Sequence, residues 1–114
     1  VSDFNSLAKT VFENAQTKGW WQEDQNKWST LVPEKIALMH SELSEALEEY
    51  RNGYHPSQTY TKEGKPEGIP IEMADLIIRA LDFCHAYGID IDKAIETKMA
   101  YNATRPYKHG GKKI

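Results

Sequence analysis

Apolar positions recur at helical spacing in four stretches of the chain. Phe4, Leu7, Ala8, Val11, Phe12 and Ala15 keep the i, i+3, i+4, i+7 period behind Ser2 or Asp3 as a cap, and Gly19 supplies a stop. A second stripe, Ile36, Met39, Leu43, Ala46, Leu47 and Tyr50, predicts a helix from about Pro33, a good first-turn residue, to the Asn52-Gly53 stop. Pro70 opens a third, strongly apolar helix ending near Gly88, and Asp90 caps a fourth, "DIDKAIETKMAYNATR". Segment 54–68 is rich in turn formers and reads as a long loop, and 106–114 reads as a mobile basic tail. No strand pattern and no repeat is visible. The expected fold is all-α, a four-helix-bundle-like single domain over 1–114 with the third helix at its centre.

Composition narrows this little. A chain of 114 residues supports one domain with a modest core. No segment is apolar enough for a bilayer, and the first ten residues lack the pattern of a secretory signal. The lone Cys84 has neither a disulfide nor a CxxC partner, so a cytoplasmic location is expected. A net charge of -3 argues against binding to nucleic-acid polymers. The charge is unevenly placed, however. Acids crowd the second helix, whereas after Glu96 there are none, only Lys98, Arg105, Lys108, His109, Lys112 and Lys113 among the ionisable side chains besides tyrosine. An acidic helix and a basic tail could attract each other, or bind a cation and an anion that travel together, as in a metal-bound phosphate.

At 100° per residue, Glu42, Glu45 and Glu49 share an arc of about 60° opposite the apolar stripe, with Leu38 among them. Glu72, Asp75, Arg79 and Asp82 share an arc of about 80° on the third helix. Either arc alone matches an ordinary solvated face, and Glu72 also suits the positive end of a helix dipole. Asp75, Arg79 and Asp82 could be surface ion pairs. Two pairs, ExxE and ExxD, on facing helices would repel unless a cation lay among them. Hard oxygen donors without His or Cys suit Mg²⁺, or Mn²⁺. The ExxH of a di-iron bundle is absent, and His40 and His85 read as packing residues.

The fourth helix changes character along one face. Ile91, Ala94 and Ile95 are followed there by Lys98, Asn102 and Arg105. Cations near a helix C-terminus are favoured by the dipole, but a cationic row continuing an apolar face also fits a phosphate site. "HSELSEALEE", "EMADLIIRALDFC" and "KMAYNATRPYKHGGKK" together resemble the MazG-like nucleoside triphosphate pyrophosphohydrolases, a group that includes the dimeric dUTP and dCTP pyrophosphatases. The resemblance runs from about Glu34 to Lys113. It implies that Glu42, Glu45, Glu72 and Asp75 bind magnesium, and that Lys98, Asn102, Arg105, Tyr107, Lys108 and His109 hold the triphosphate. "GWW", with Trp20 and Trp21, is similar to the aromatic segment of the base pocket in that family, although at least one of Trp20, Trp21 and Trp28 is expected to cap the bundle instead.

The expected activity is Mg²⁺-dependent hydrolysis of a (deoxy)nucleoside triphosphate to the monophosphate and pyrophosphate, as nucleotide-pool house-cleaning. Glu45, then Glu49, is the expected proton acceptor for the attacking water. The alternatives are a non-catalytic helical interaction module and a related phosphoribosyl-nucleotide pyrophosphohydrolase. The third helix is apolar over too much of its circumference for one small monomer to cover. A homodimer, or a dimer of dimers, is therefore expected.

Overall fold

The computed structural model describes residues 3–21 and 28–106. Ser2, the Trp28 side chain, Tyr107, Lys108 and His109 lie outside the described residues. Four helices follow in order: α1 (Phe4–Thr17), α2 (Trp28–Arg51), α3 (Ile69–Ala86) and α4 (Ile91–Ala103). Between α2 and α3 runs a two-stranded antiparallel sheet, β1 (Tyr60–Lys62) and β2 (Lys65–Glu67). The chain is thus mostly helical, and α3 is its centre, packed against both α1 and α2.

The helix boundaries follow from local chemistry. Gly19 (φ 90°) ends α1 by donating to the Gln16 carbonyl, while Trp20 N–H reaches back to Ala15. This is the left-handed glycine stop expected of a helix C-terminus. Asp3 precedes α1 but its side chain makes no capping bond. The first turn is capped instead from α4. Asp92 accepts from the backbone N–H groups of Phe4 and Asn5 at 3.0 and 3.1 Å. Asn5 returns the service, its Oδ1 accepting from Ile91 N–H at 2.9 Å and its Nδ2 donating to Asp90 at 2.9 Å. Asp90 also accepts from Lys93 N–H, so it caps α4 as expected, and these bonds lower its carboxyl below the usual range. The two N-termini cap each other.

Two expectations are corrected. Pro33 does not open α2. It lies inside the helix, which begins at Trp28. Pro33 is past the first turn, so its missing N–H removes one backbone bond that the helix would otherwise make. Segment 54–68 is not a plain loop either. Tyr60 pairs with Glu67, Thr61 with Pro66 and Lys62 with Lys65, around a turn at Glu63 and Gly64, both of which have positive φ. The strands are three residues each, too short for an alternating pattern to stand out from the surrounding turn formers.

The faces of α2 are not disposed as on an ordinary surface helix. Its acidic face, with Glu42, Ala46 and Glu49, is buried toward α3, whereas Ile36, Leu43, Leu47 and Tyr50 of the apolar stripe are exposed. On α3, Leu81 and Cys84 are buried while Ile77 and Ile78 are exposed. The radius of gyration, 16.8 Å, exceeds the roughly 13 Å of a close-packed domain of this size, and much apolar surface is left uncovered.

Candidate functional site

The acidic arcs of α2 and α3 meet. One carboxylate oxygen from each of Glu42, Glu45 and Glu72 lies within 4.8 Å of the others. Glu42 and Glu72 are almost wholly buried, at 5% and 6% exposure, whereas Glu45 opens to solvent. Three of the four carboxylates expected as ligands are therefore brought together. Asp75 stands beside them, exposed, close enough to raise the carboxyls of Glu45 and Glu72. Its own carboxyl is raised by burial and then by Glu42, with Arg79 opposing.

The electrostatics are those of crowded like charge. Burial, a carboxyl–carboxyl hydrogen bond with Glu42, and repulsion from Glu45, Glu42 and Asp75 push Glu72 up to about 7. Glu45 is raised by burial and then by Glu42 and Asp75. Among the described residues Arg79 enters the group: its Nε donates to Glu42 Oε2 at 2.7 Å across the helix pair. Arg79 thus bridges α3 to α2 instead of pairing along its own helix. Asp82 leaves the acidic arc as well. It accepts from the Trp21 indole N–H at 2.7 Å.

The hairpin brings residues that the helical pattern does not reveal. Tyr60 donates its hydroxyl to Glu49, 2.8 and 3.0 Å from the two carboxylate oxygens, and its ring stacks on Tyr54 at 4.3 Å. That bond raises the Tyr60 hydroxyl strongly. Glu67, at the end of β2, joins Glu49 and Glu72 in a second group of carboxylates within 4.8 Å. Its only sequence signal was its position just before α3. Glu49, named as second proton acceptor, is thus tied to a tyrosine, while Glu45 remains open to solvent.

The two tryptophans separate. Trp21 is 4% exposed, packed with Phe12 and Tyr87 and anchored by Asp82, so it belongs to the core. Trp20 is 54% exposed, with Lys35 Nζ and the Arg79 guanidinium each 5.5 Å from its ring centre. Both line a cleft of about 460 Å³ between α1, α3 and the early part of α2, together with Asn14, Leu38, Asp75 and Asp82. The cleft and the carboxylate group share Asp75 and Arg79 as a wall.

The cationic row lies elsewhere. Ile91 and Ile95 are half-buried, but Lys98, Asn102 and Arg105 are exposed, with Lys98 and Arg105 gathered over Tyr101 at 5.1 and 5.8 Å. Among the described residues α4 packs mainly on α1. The described chain by itself does not bring this row to the carboxylates. The two histidines read as packing residues, His40 and His85, are both exposed, although the His85 ring lies 4.9 Å from that of Phe12, and His55 is bonded to Ser57 within its turn. Among the described residues no helix is long and apolar enough to cross a membrane. Comparison with protein-family models, curated proteins and solved structures gave no match.

Proposed function

We propose that the protein is a divalent-cation-dependent pyrophosphohydrolase of nucleoside triphosphates, similar to the MazG-like enzymes. The observation that carries the proposal is the convergence of Glu42, Glu45 and Glu72 between α2 and α3, with Asp75 beside them. Four carboxylates with one guanidinium among them leave negative charge uncompensated, and hard oxygen donors of this kind fit Mg²⁺ or Mn²⁺. Glu42, Glu45, Glu72 and Asp75 would hold the metal, which supplies charge neutralisation at phosphate oxygens and a more acidic bound water. Glu45 would accept the proton of an attacking water, a role supported by its exposure and raised carboxyl, whereas Glu49 is held by Tyr60. Trp20, exposed in the lining of the cleft, offers a flat ring to a nucleobase, while Trp21 is part of the core.

Lys98, Asn102 and Arg105 would contact phosphates only in an assembly. We assign that role to a homodimer or a dimer of dimers, in which the exposed Ile36, Leu43, Leu47, Ile77 and Ile78 become covered. A sedimentation experiment at micromolar concentration that finds a monomer removes this part of the reading.

The decisive experiment is a panel of canonical and modified nucleoside triphosphates with Mg²⁺ and detection of released pyrophosphate, with phosphoribosyl-ATP included. Release from one nucleoside triphosphate, abolished by EDTA, is the expected result. Hydrolysis of the phosphoribosyl nucleotide instead would move the protein to the related class. A second reading is favoured by the Arg79–Glu42 and Tyr60–Glu49 bonds, which partly satisfy the acids without a metal. In that reading the chain is a helical interaction module, and neither Mg²⁺ nor nucleotide raises its thermal stability.

A further inference from the structure

We propose that Arg79 holds the α-phosphate of the nucleotide, where the carboxylate group between α2 and α3 adjoins the cleft. The name of that phosphate rests on the pyrophosphohydrolase reading; an anion site at Arg79 does not. Glu72, Asp75, Arg79 and Asp82 follow one another along a single arc of α3. At one end Glu72 lies with Glu42 and Glu45, and at the other Asp82 lines the cleft and accepts from the Trp21 indole. Arg79 comes between them, and with Asp75 it lines the cleft as well. A nucleotide with its phosphates at the carboxylates and its base beside Trp20 must cross this wall. The phosphate joined to the sugar is the one that meets it.

The guanidinium is held in place and still has donors to give. It offers five N–H groups in a planar fork. Its Nε–H is used on Glu42, at 2.7 Å from Oε2. Among the described residues its Nη groups make no further hydrogen bond, and the side chain is 29% exposed. The Trp20 ring centre, 5.5 Å from the guanidinium carbon, steadies the plane from a second direction. A fork pinned through Nε and open at Nη can take two phosphate oxygens at once, which a lysine cannot do. Lys35 lines the same cleft, but its ammonium is turned toward the Trp20 carbonyl at 3.4 Å and the Trp21 ring at 4.3 Å.

Electrostatics point to the same residue. Arg79 lowers the carboxyls of Glu45 and Asp75 on one side and that of Asp82 on the other, so its field reaches both the carboxylate group and the cleft. In the reaction the water oxygen bonds to the α-phosphorus and the bond from that phosphorus to the bridging oxygen breaks. Pyrophosphate leaves with the electron pair, and the proton of the water passes to Glu45. The non-bridging α-oxygens carry negative charge throughout. Arg79 gives and takes no proton, and its fixed charge stabilises those oxygens. The α-phosphate remains on the monophosphate product, so Arg79 should hold the product too, and that is measurable without turnover.

The test is calorimetric titration of the full chain in Mg²⁺ with the four common deoxynucleoside monophosphates, their nucleosides and inorganic pyrophosphate. Arg79→Lys keeps a charge beside Glu42 and loses the fork. It should weaken the bound monophosphate about tenfold and leave nucleoside and pyrophosphate binding unchanged. The wild type gives a second readout, independent of how the variant folds. Its arginines are Arg51, Arg79 and Arg105, and the Arg79 Nε–H signal in nitrogen NMR should move with a monophosphate and not with its nucleoside. Equal monophosphate affinity in the wild type and Arg79→Lys overturns the proposal, as does an Arg79 signal that no monophosphate moves. Equal losses for monophosphate and nucleoside overturn it too, because Arg79 would then only shape the cleft wall. Monophosphate held through Arg79 with no triphosphate cleaved would sink the pyrophosphohydrolase reading and leave the anion site standing. Cleavage of a triphosphate at full rate by Arg79→Lys would do the reverse.

Discussion

Glu72→Gln isolates the cost of assembling the carboxylates. Gln has the shape of the neutral acid and no charge. Glu72 titrates at about 7 in the folded chain against 4.5 as its ordinary value. A carboxyl raised on folding favours the protonated folded state. Its contribution is fully present below about 4.5 and is lost as pH rises through about 7. At about 1.4 kcal/mol per pH unit, the interval amounts to an upper bound of about 3.5 kcal/mol. Glu45 and Asp75 are exposed, and water screens part of their repulsion, so about 1–2 kcal/mol is the expected size.

Thermal unfolding at pH 8 in EDTA should therefore find Glu72→Gln more stable than the wild type by several degrees, at about 4–8 °C per kcal/mol. At pH 4.5 the two should agree within a few degrees, because the wild-type side chain is then protonated. Adding Mg²⁺ at pH 8 should raise the wild type more than the variant, since an ion bound only to the folded state stabilises it by mass action. Parallel pH profiles for the two proteins between 4.5 and 8 would refute the reasoning, because Glu72 would then be an ordinary solvated acid.

Arg79→Ala leaves the buried Glu42 without its cation and should destabilise the chain by about 1.5–3 kcal/mol in urea unfolding. Adding Glu42→Gln to it should restore part of the loss. Trp21→Ala should cost about 3–5 kcal/mol by removing a core ring and its bond to Asp82, whereas Trp20→Ala should cost about 0.5–1 kcal/mol of stability and weaken nucleotide binding in calorimetry. Lys98→Ala and Arg105→Ala should leave unfolding within about 0.5 kcal/mol of the wild type, because both side chains are exposed, yet slow pyrophosphate release about tenfold or more. Normal release by both variants returns the row to a simple helix terminus.

What could be read in the chain beforehand divides along a physical line. Helix ends set by a residue's own backbone, at Gly19, Gly53, Gly88 and Asp90, were legible, because a left-handed turn or an Asp cap acts within a few residues. The shared arc of Glu42 and Glu45, and that of Glu72 and Asp75, were legible for the same reason. Which way those arcs face was not legible from the period, and only the family resemblance turned them toward each other. A Glu-rich face opposite a Leu-rich face ordinarily turns outward, and here Glu42, Glu49 and Glu72 turn inward while Leu43 and Leu47 remain exposed. Contacts between distant segments were also hidden: Asp92 on the start of α1, Arg79 on Glu42, Trp21 on Asp82, Tyr60 on Glu49. Each joins residues at least eleven apart with no period to announce it.

The inward turn of the acids constrains function more than any motif does. Burying carboxylates costs stability unless positive charge meets them, and exposing leucines costs stability unless another surface covers them. The single chain bears both costs on the two sides of α2. An ion between α2 and α3 would relieve the first, and a second copy of the chain across the leucine face would relieve the second. The two remedies are separable. If Mg²⁺ raises Tm equally in wild type and in Leu43→Lys, the ion acts within one chain; a Mg²⁺ effect lost with that substitution would show that the carboxylates need the partner to assemble.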